Sequence, residues 1–317
     1  MLIKEKKGVQ YISIDEASDG QRIDNFLIKI LKKVPKSHIY KILRSGEVRV
    51  NKKRVKSDFK LTLDDEIRVP PLAMDESRRS DTPLAKHHIQ DSIIFEDDVL
   101  IALNKPAGIA VHGGSGIQHG VIELLRYERP NDSFLELVHR IDKETSGILL
   151  IAKKRSALLH LHKQIRDKKI HKKYLAVVFG KWQKKQLNMD LDLSIKNDGD
   201  HGKKVRVVSS KNTNIKSKES RSVFFLRQVI NDVSFLDIKL ITGRMHQIRV
   251  HLSFLGFPIV GDDKYGNFDL NKDFIKKGMK RMCLHAIELG FQHPLTNQAQ
   301  IITAPEPKEF GFFKNYA

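Results

Sequence analysis

Apolar positions along the chain change period several times, and each change marks an element. Between Gln21 and Lys33, Ile23, Leu27, Ile30 and Leu31 recur at helical spacing and predict an amphipathic helix. Ile39, Ile42 and Leu43 predict a second helix, with Ser37 as its cap and Gly46 as its stop. Val48 and Val50 then alternate with polar residues over Glu47 to Asn51, as in a strand. Turns are expected at Asn51-Lys52-Lys53 and at Asp64-Asp65, the latter before Glu66-Ile67-Arg68-Val69. Pro70-Pro71 ends this small unit, and the polar stretch 71–90 reads as a linker.

From Asp91 onward the pattern is mainly that of strands. Ile93 to Phe95 and Val99 to Leu103 flank an acidic turn, and Ile148 to Ala152 is an unbroken apolar run that suits a buried strand. Ser156 to Arg166 has helical periodicity, and His171 to Val178 reads as a strand. Residues 186–222 are polar and predict hairpins and mobile loops, followed by strands at Val223 to Val229 and Val233 to Ile241. Thr242 to Leu252 reads as a loop opening a helix, Gly261 to Gly266 as a turn, and His285 to Phe291 as a late strand. Many strands, few helices and no βαβ rhythm argue for an α+β fold around a mixed, largely antiparallel sheet.

Charge sharpens this picture. The 317 residues carry 57 Lys and Arg against 38 Asp and Glu, a formal charge of +19. Such a surplus opposes compactness and fits a polyanionic partner, with an anionic membrane surface as the alternative. No window approaches the ~20 apolar residues of a spanning helix. The first seven residues lack the apolar core of a secretion signal, so a cytoplasmic protein is expected. The single cysteine, Cys283, excludes an internal disulfide and a cysteine-based zinc cluster. Over 21–60, thirteen Lys and Arg face three Asp and Glu, a net +10. Lys29, Lys33, Arg44, Arg49, Lys52, Lys53 and Arg54 fall off the apolar stripes and are candidates for RNA contact. The bland alternative is an ordinary solvated lysine face.

Candidate chemistry gathers at the mouth of the Ile148 strand, where His139, Arg140, Asp142 and Thr145-Ser146-Gly147 precede the apolar run. Polar groups converging on the end of a buried strand have fixed directions. A salt-bridged surface turn made by Arg140 and Asp142 is the competing reading. Metal chemistry finds little support: His246 and His251 are five apart, and His160 and His162 lack an acidic partner in a zinc pattern. The glycines of Gly113-Gly114-Ser115-Gly116 are not followed by the Gly-Lys-Ser/Thr of a phosphate loop.

His139-Arg140-Ile141-Asp142-Lys143-Glu144-Thr145-Ser146-Gly147-Ile148-Leu149-Leu150-Ile151-Ala152-Lys153 resembles the active-site motif of the RNA pseudouridine synthases that act on ribosomal and transfer RNA. The resemblance implies that Asp142 is the catalytic carboxylate. It also implies that Tyr174, in Lys172-Lys173-Tyr174-Leu175, stacks on the base and removes its proton. Arg249, in Gly243-Arg244-Met245-His246-Gln247-Ile248-Arg249, would pair with the aspartate. Arg140 would take part in extruding the uridine, and Leu284 would form an apolar wall of the pocket. His139, Arg244, His246 and Gln247 are the histidine, arginine and amide groups expected to contact RNA nearby. Arg22-Ile23-Asp24-Asn25-Phe26-Leu27 with Gly46-Glu47-Val48-Arg49-Val50-Asn51 resembles the S-four-type RNA-binding module.

Together these imply an S-four-type module over 1–70, a linker over 71–90 and a catalytic domain over 91–317. The expected reaction is isomerisation of uridines in large-subunit ribosomal RNA, free or in assembling subunits. No metal or organic cofactor is expected, nor any membrane partner, and the working unit is expected to be a monomer. Other ribosomal or transfer RNA sites are the nearest alternative target. A non-catalytic RNA-binding or ribosome-assembly factor is the rival from another class, and a metal-dependent hydrolase is a third.

Overall fold

The computed structural model describes residues 8–31, 34, 36–71, 88–113, 119–197, 203–208 and 217–314. The chain divides into two compact units, 1–84 and 85–317. Of the stretch read as a linker, residues 72–87 lie outside the described residues. Ile89, near its end, is already buried, and the N–H groups of Ile89 and Gln90 donate to the Glu128 carboxylate.

The first unit contains β1 (Gln10–Ser13), α1 (Ile23–Ile30), α2 (Lys36–Ser45), β2 (Arg49–Val50), β3 (Lys53–Arg54) and β4 (Glu66–Val69). Its antiparallel sheet has the order β1-β4-β2-β3. The helical stripes do what their spacing predicts: Ile23, Leu27, Ile39 and Ile42 pack with Val48, Val50 and Ile67 into one core. The helix expected over Gln21 to Lys33 is described only from Ile23 to Ile30, and Lys33 lies outside the described residues. Helix α2 begins at Lys36, so Ser37 stands inside its first turn rather than capping it. Gly46 does end α2, at φ +75°. Asn51 and Lys52 both have positive φ, the geometry of a two-residue hairpin turn whose twist matches its strands.

The second unit contains β5 (Ile93–Glu96), β6 (Leu100–Lys105), α3 (Val121–Glu128), β7 (Glu136–Leu137), β8 (Ser146–Ala152), α4 (Arg155–Arg166) and β9 (His171–Phe179). It continues through β10 (Gln186–Asn197), β11 (Lys203–Val208), β12 (Lys218–Ile230), β13 (Val233–Leu240), α5 (Gln247–Phe254), α6 (Phe268–Lys276), β14 (Leu284–Gln292) and β15 (Ala299–Thr303). The sheet runs β11-β10-β12-β13-β9-β14-β8-β6-β5, with β15 beside β14 and β7 beside β8. Its described pairings are antiparallel except for β14 with β8, which are parallel. Strand β12 starts five residues before the expected Val223 because Ser220 and Ser222 are buried. Ser220 donates to the Leu191 carbonyl, and Ser222 accepts from the Gln247 amide. Polar residues with buried partners look like loop in a sequence.

The parallel pairing places the chemistry. Strand β8 is buried at every position, and β14 lies between it and β9. Gly147 of β8 stands opposite Ala286 of β14, which stands opposite Tyr174 of β9. The turn that enters β8 is thereby brought beside Tyr174. Gly147 has φ +103°, and an added Cβ would strike the Ala286 carbonyl oxygen. Gly147→Ala is therefore expected to cost at least about 2 kcal/mol, combining strain with a backbone clash. A urea melt measures this, and an unchanged midpoint would contradict the packing.

Candidate active site

A cleft of about 450 Å³ opens where the 138–145 turn, β9 and the N-terminus of α5 converge. Asp142, Tyr174, Arg249, Arg140, His139, Arg244, His246, Gln247 and Leu284 all line it. These residues come from distant parts of the sequence.

Arg249 lies in the first turn of α5 and is buried. Its Nε and Nη2 each donate to Asp262 at 2.7 Å, a bidentate pair, and Nη2 reaches Asp263 at 3.3 Å. Nη1 points at Asp142 Oδ2 at 3.5 Å, the outer limit of a hydrogen bond. Burial works against the guanidinium's charge, but Asp262 and then Asp142 outweigh it and push its pKa up. Burial likewise opposes ionisation of Asp262. Arg249, with the N–H groups of Tyr265 and Lys264, overcomes this and holds the carboxyl below its usual range.

His246 takes a left-handed backbone (φ 53°) at the start of α5 and turns Nε2 to within 3.9 Å of Asp142. Tyr265 OH accepts the Val205 N–H and lies 2.9 Å from His246 Nδ1. The phenol therefore donates to Nδ1, and the neutral ring keeps its proton on Nε2, facing Asp142. Burial lowers the His246 pKa against the pull of Asp142. Asp142 thus has two donors within reach, both at long range. Its lone pairs are not consumed, as an attacking or proton-accepting carboxylate requires.

Tyr174 is buried, and burial together with the Asp142 charge pushes its pKa up. Its hydroxyl stays a phenol, so the ring offers a neutral stacking face. Arg140 is exposed on the rim.

Two of the expected RNA contacts are occupied with the fold instead. Gln247 is 2% exposed; its Oε1 accepts from Thr242 and the Arg244 N–H, and its Nε2 donates to the Arg221 carbonyl and Ser222. Nothing of that amide is left for RNA. His139 accepts the Leu150 N–H on Nε2, and burial, aided by Lys172, drives its pKa down to about 3, so it carries no cation into the cleft. Arg244 is exposed, with Nε on the Glu219 carbonyl.

Asp262, Asp263 and Tyr265 were legible only as a glycine-bounded turn. The available signal was an acidic doublet inside a strongly basic chain. Lys105 was missed as well. It is fully buried, and its Nζ donates to the carbonyls of Pro106, Ile109 and Lys143. Burial lowers its pKa to about 7. One side chain thereby ties the 106–109 loop to the Asp142 turn. Among the described residues, no group of three His, Cys, Asp or Glu side chains could hold a metal ion.

In the first unit, Lys29, Arg44, Arg49, Lys52, Lys53 and Arg54 are all exposed. Arg44 and Arg54 line a shared hollow with Arg22 and Lys56. Arg49 stands opposite Arg54 on one side and Arg68 on the other. Like charges directly opposed across strands repel, so this row favours an anionic partner.

The model of the family described as RNA pseudouridylate synthase matches residues 99–254, and the S4 domain model matches residues 21–67. The chain is 47% identical over 291 residues to the ribosomal large subunit pseudouridine synthase C of Haemophilus influenzae, covering 90% of this chain and 88% of that one. It is 48% identical over 303 residues to the protein of the same name from Vibrio vulnificus, covering 94% and 93%. Among solved structures, human RNA pseudouridylate synthase domain containing 1 aligns with a TM-score of 0.58 at 25% identity, covering 68% of this chain and 83% of that one.

His251 and His285 give the site's scaffold a pH dependence. Both are buried, and burial lowers each pKa to about 4. His251 shares its Nε2 with Ser220, and its Nδ1 has no partner among the described residues. Unfolded histidine binds a proton below pH ~6.5. Stability is therefore full above that pH and is lost as pH falls toward about 4. Near pH 5 the two rings should contribute a slope of about 2 kcal/mol per pH unit. Urea melts between pH 7 and 4.5 read it, and a flat profile would show that these rings are not held neutral.

Proposed function

The chain belongs to the RNA pseudouridylate synthase family, and from this premise we propose that it isomerises uridine to pseudouridine in large-subunit ribosomal RNA. We place it as a monomer in the cytoplasm, where that RNA is assembled into subunits. One observation carries the catalytic reading: Asp142 stands with free lone pairs beside Arg249 and His246, in the cleft that Tyr174 lines. The target follows from the relatives named ribosomal large subunit pseudouridine synthase C, which match this chain over nearly its whole length.

The reaction balances without an oxidant. The C1′–N1 bond breaks, the uracil turns, C5 bonds to C1′, the C5 proton leaves and N1 gains one. Asp142 acts on the sugar, by attack at C1′ or by taking the C2′ proton. Both routes use the carboxylate oxygens, which the long contacts to Arg249 and His246 leave accessible. Tyr174 receives the uracil as a neutral ring, so removal of the C5 proton by its oxygen requires the phenol to lose its own first. Extruding a stacked uridine costs a few kcal/mol. Arg140, exposed on the rim, is placed to fill the gap, since a planar guanidinium can both stack and contact phosphate.

The test is tritium release from C5-labelled uridine in protein-free large-subunit ribosomal RNA. Asp142→Asn should lower the rate at least about a thousandfold while keeping RNA affinity. Equal release by both proteins would exclude Asp142, and no release by wild type would favour a binding factor. For the first unit, Arg44→Ala and Arg54→Ala should each weaken RNA binding and flatten its salt slope by about one. Unchanged slopes would remove that face from RNA recognition.

A further inference from the structure

Strand β9 sends two residues into the cleft from one face, Lys172 and Tyr174. The residue between them, Lys173, points the other way and pairs with Glu288 at 3.1 Å. Lys172 is partly buried and its ammonium, unlike that of Lys173, has no hydrogen bond or ion pair among the described residues. Its ammonium lies 3.6 Å from where a Cβ on Gly243 would stand, a space the glycine leaves open, and Arg166 lines the same cleft. Asp142 is the acidic residue among those lining the cleft, and it faces Arg249 and His246. Burying an unpaired ammonium is unfavourable, and burial accordingly lowers the pKa of Lys172. A fold keeps such a group where a counter-charge arrives with the ligand.

We propose that Lys172 receives a backbone phosphate of the uridine whose base stacks on Tyr174. The inference rests on the nucleotide reading of this cleft and adds a phosphate subsite to it. Residues two apart on a strand are separated by ~6.6 Å, which suits one nucleotide reaching from its base to its phosphate. The phosphodiester would supply the counter-charge that the protein withholds, so a correctly threaded strand is stabilised where a free base is not.

Two measurements test this. In titrations with uridine and with uridine 3′,5′-bisphosphate, wild type should prefer the bisphosphate by about tenfold or more, the contribution of a charge-assisted contact. Lys172→Met should lose that preference, and Lys172→Arg should keep most of it. In single-turnover tritium release on ribosomal RNA, Lys172→Met should lower kcat/KM about tenfold and reduce its salt slope by about one. Lys173→Met should leave both unchanged. Lys172→Met should melt no lower than wild type, since it removes an unpaired charge. A preference retained in Lys172→Met, or none in wild type, overturns the proposal. The nucleotide arm does not need isomerisation, so absence of tritium release by wild type would count against the proposed reaction and leave the phosphate subsite to be decided by binding.

Discussion

The buried pair of Arg249 and Asp262 is the interaction on which the site depends. A guanidinium has five N–H donors in a fixed plane. Here Nε and Nη2 are committed to Asp262 in the 261–266 turn, which fixes the direction of Nη1. Nη1 then meets Asp142 at 3.5 Å instead of gripping it. A bidentate embrace of Asp142 would occupy both of its oxygens. Dividing the guanidinium between Asp262 and Asp142 supplies positive charge to Asp142 without a close grip on its oxygens. Loss of the structural partner would leave a buried charge uncompensated, typically several kcal/mol.

A second tie comes from Lys105, which holds three backbone carbonyls inside the fold. One of them belongs to Lys143, next to Asp142, so the Asp142 turn is held by an ammonium at Lys143 and faced by a guanidinium at Asp142. His246 and Tyr265 form a third support, with the proton order along the chain set by the Val205 N–H. None of these groups is exposed enough to be exchanged freely. Asp142 itself keeps 21% of its side-chain surface open.

Much of this was legible in the sequence, for specific reasons. The apolar run at Ile148 forced a buried strand, and the polar residues before it could only sit at its mouth. The cleft residues of three separate motifs were readable through their resemblance to the pseudouridine synthase motifs; taken alone, Tyr174 reads as an ordinary strand residue and Arg249 as a helix-surface charge. What stayed hidden was the identity of partners. Asp262 could not be matched with Arg249, because pairing across 13 residues through a turn has no periodicity. Gln247 looked like an RNA contact because a polar residue in a functional motif does not disclose that its amide is already saturated. The extra length of β12 was masked by serines that are polar in composition and satisfied in place. Helices α3 and α6 and strand β15 were not anticipated either, since their stripes are short and interrupted by charge.

The parallel pairing of β8 with β14 has a consequence for when the site can exist. Ser146 and His285 lie 139 positions apart, and the strand between Asp142 and Tyr174 is supplied by residues 284–292. Closing so long a loop carries an entropic cost that shorter-range pairings do not, so contacts of this kind form late. A growing chain can complete the first unit, and even the β9–β13 hairpin region, while β14 is still unsynthesised. Until that strand inserts, the aspartate and the tyrosine have nothing to hold them side by side. The proposed site is thus assembled only after the chain has been synthesised through β14, and a shorter nascent polypeptide lacks it.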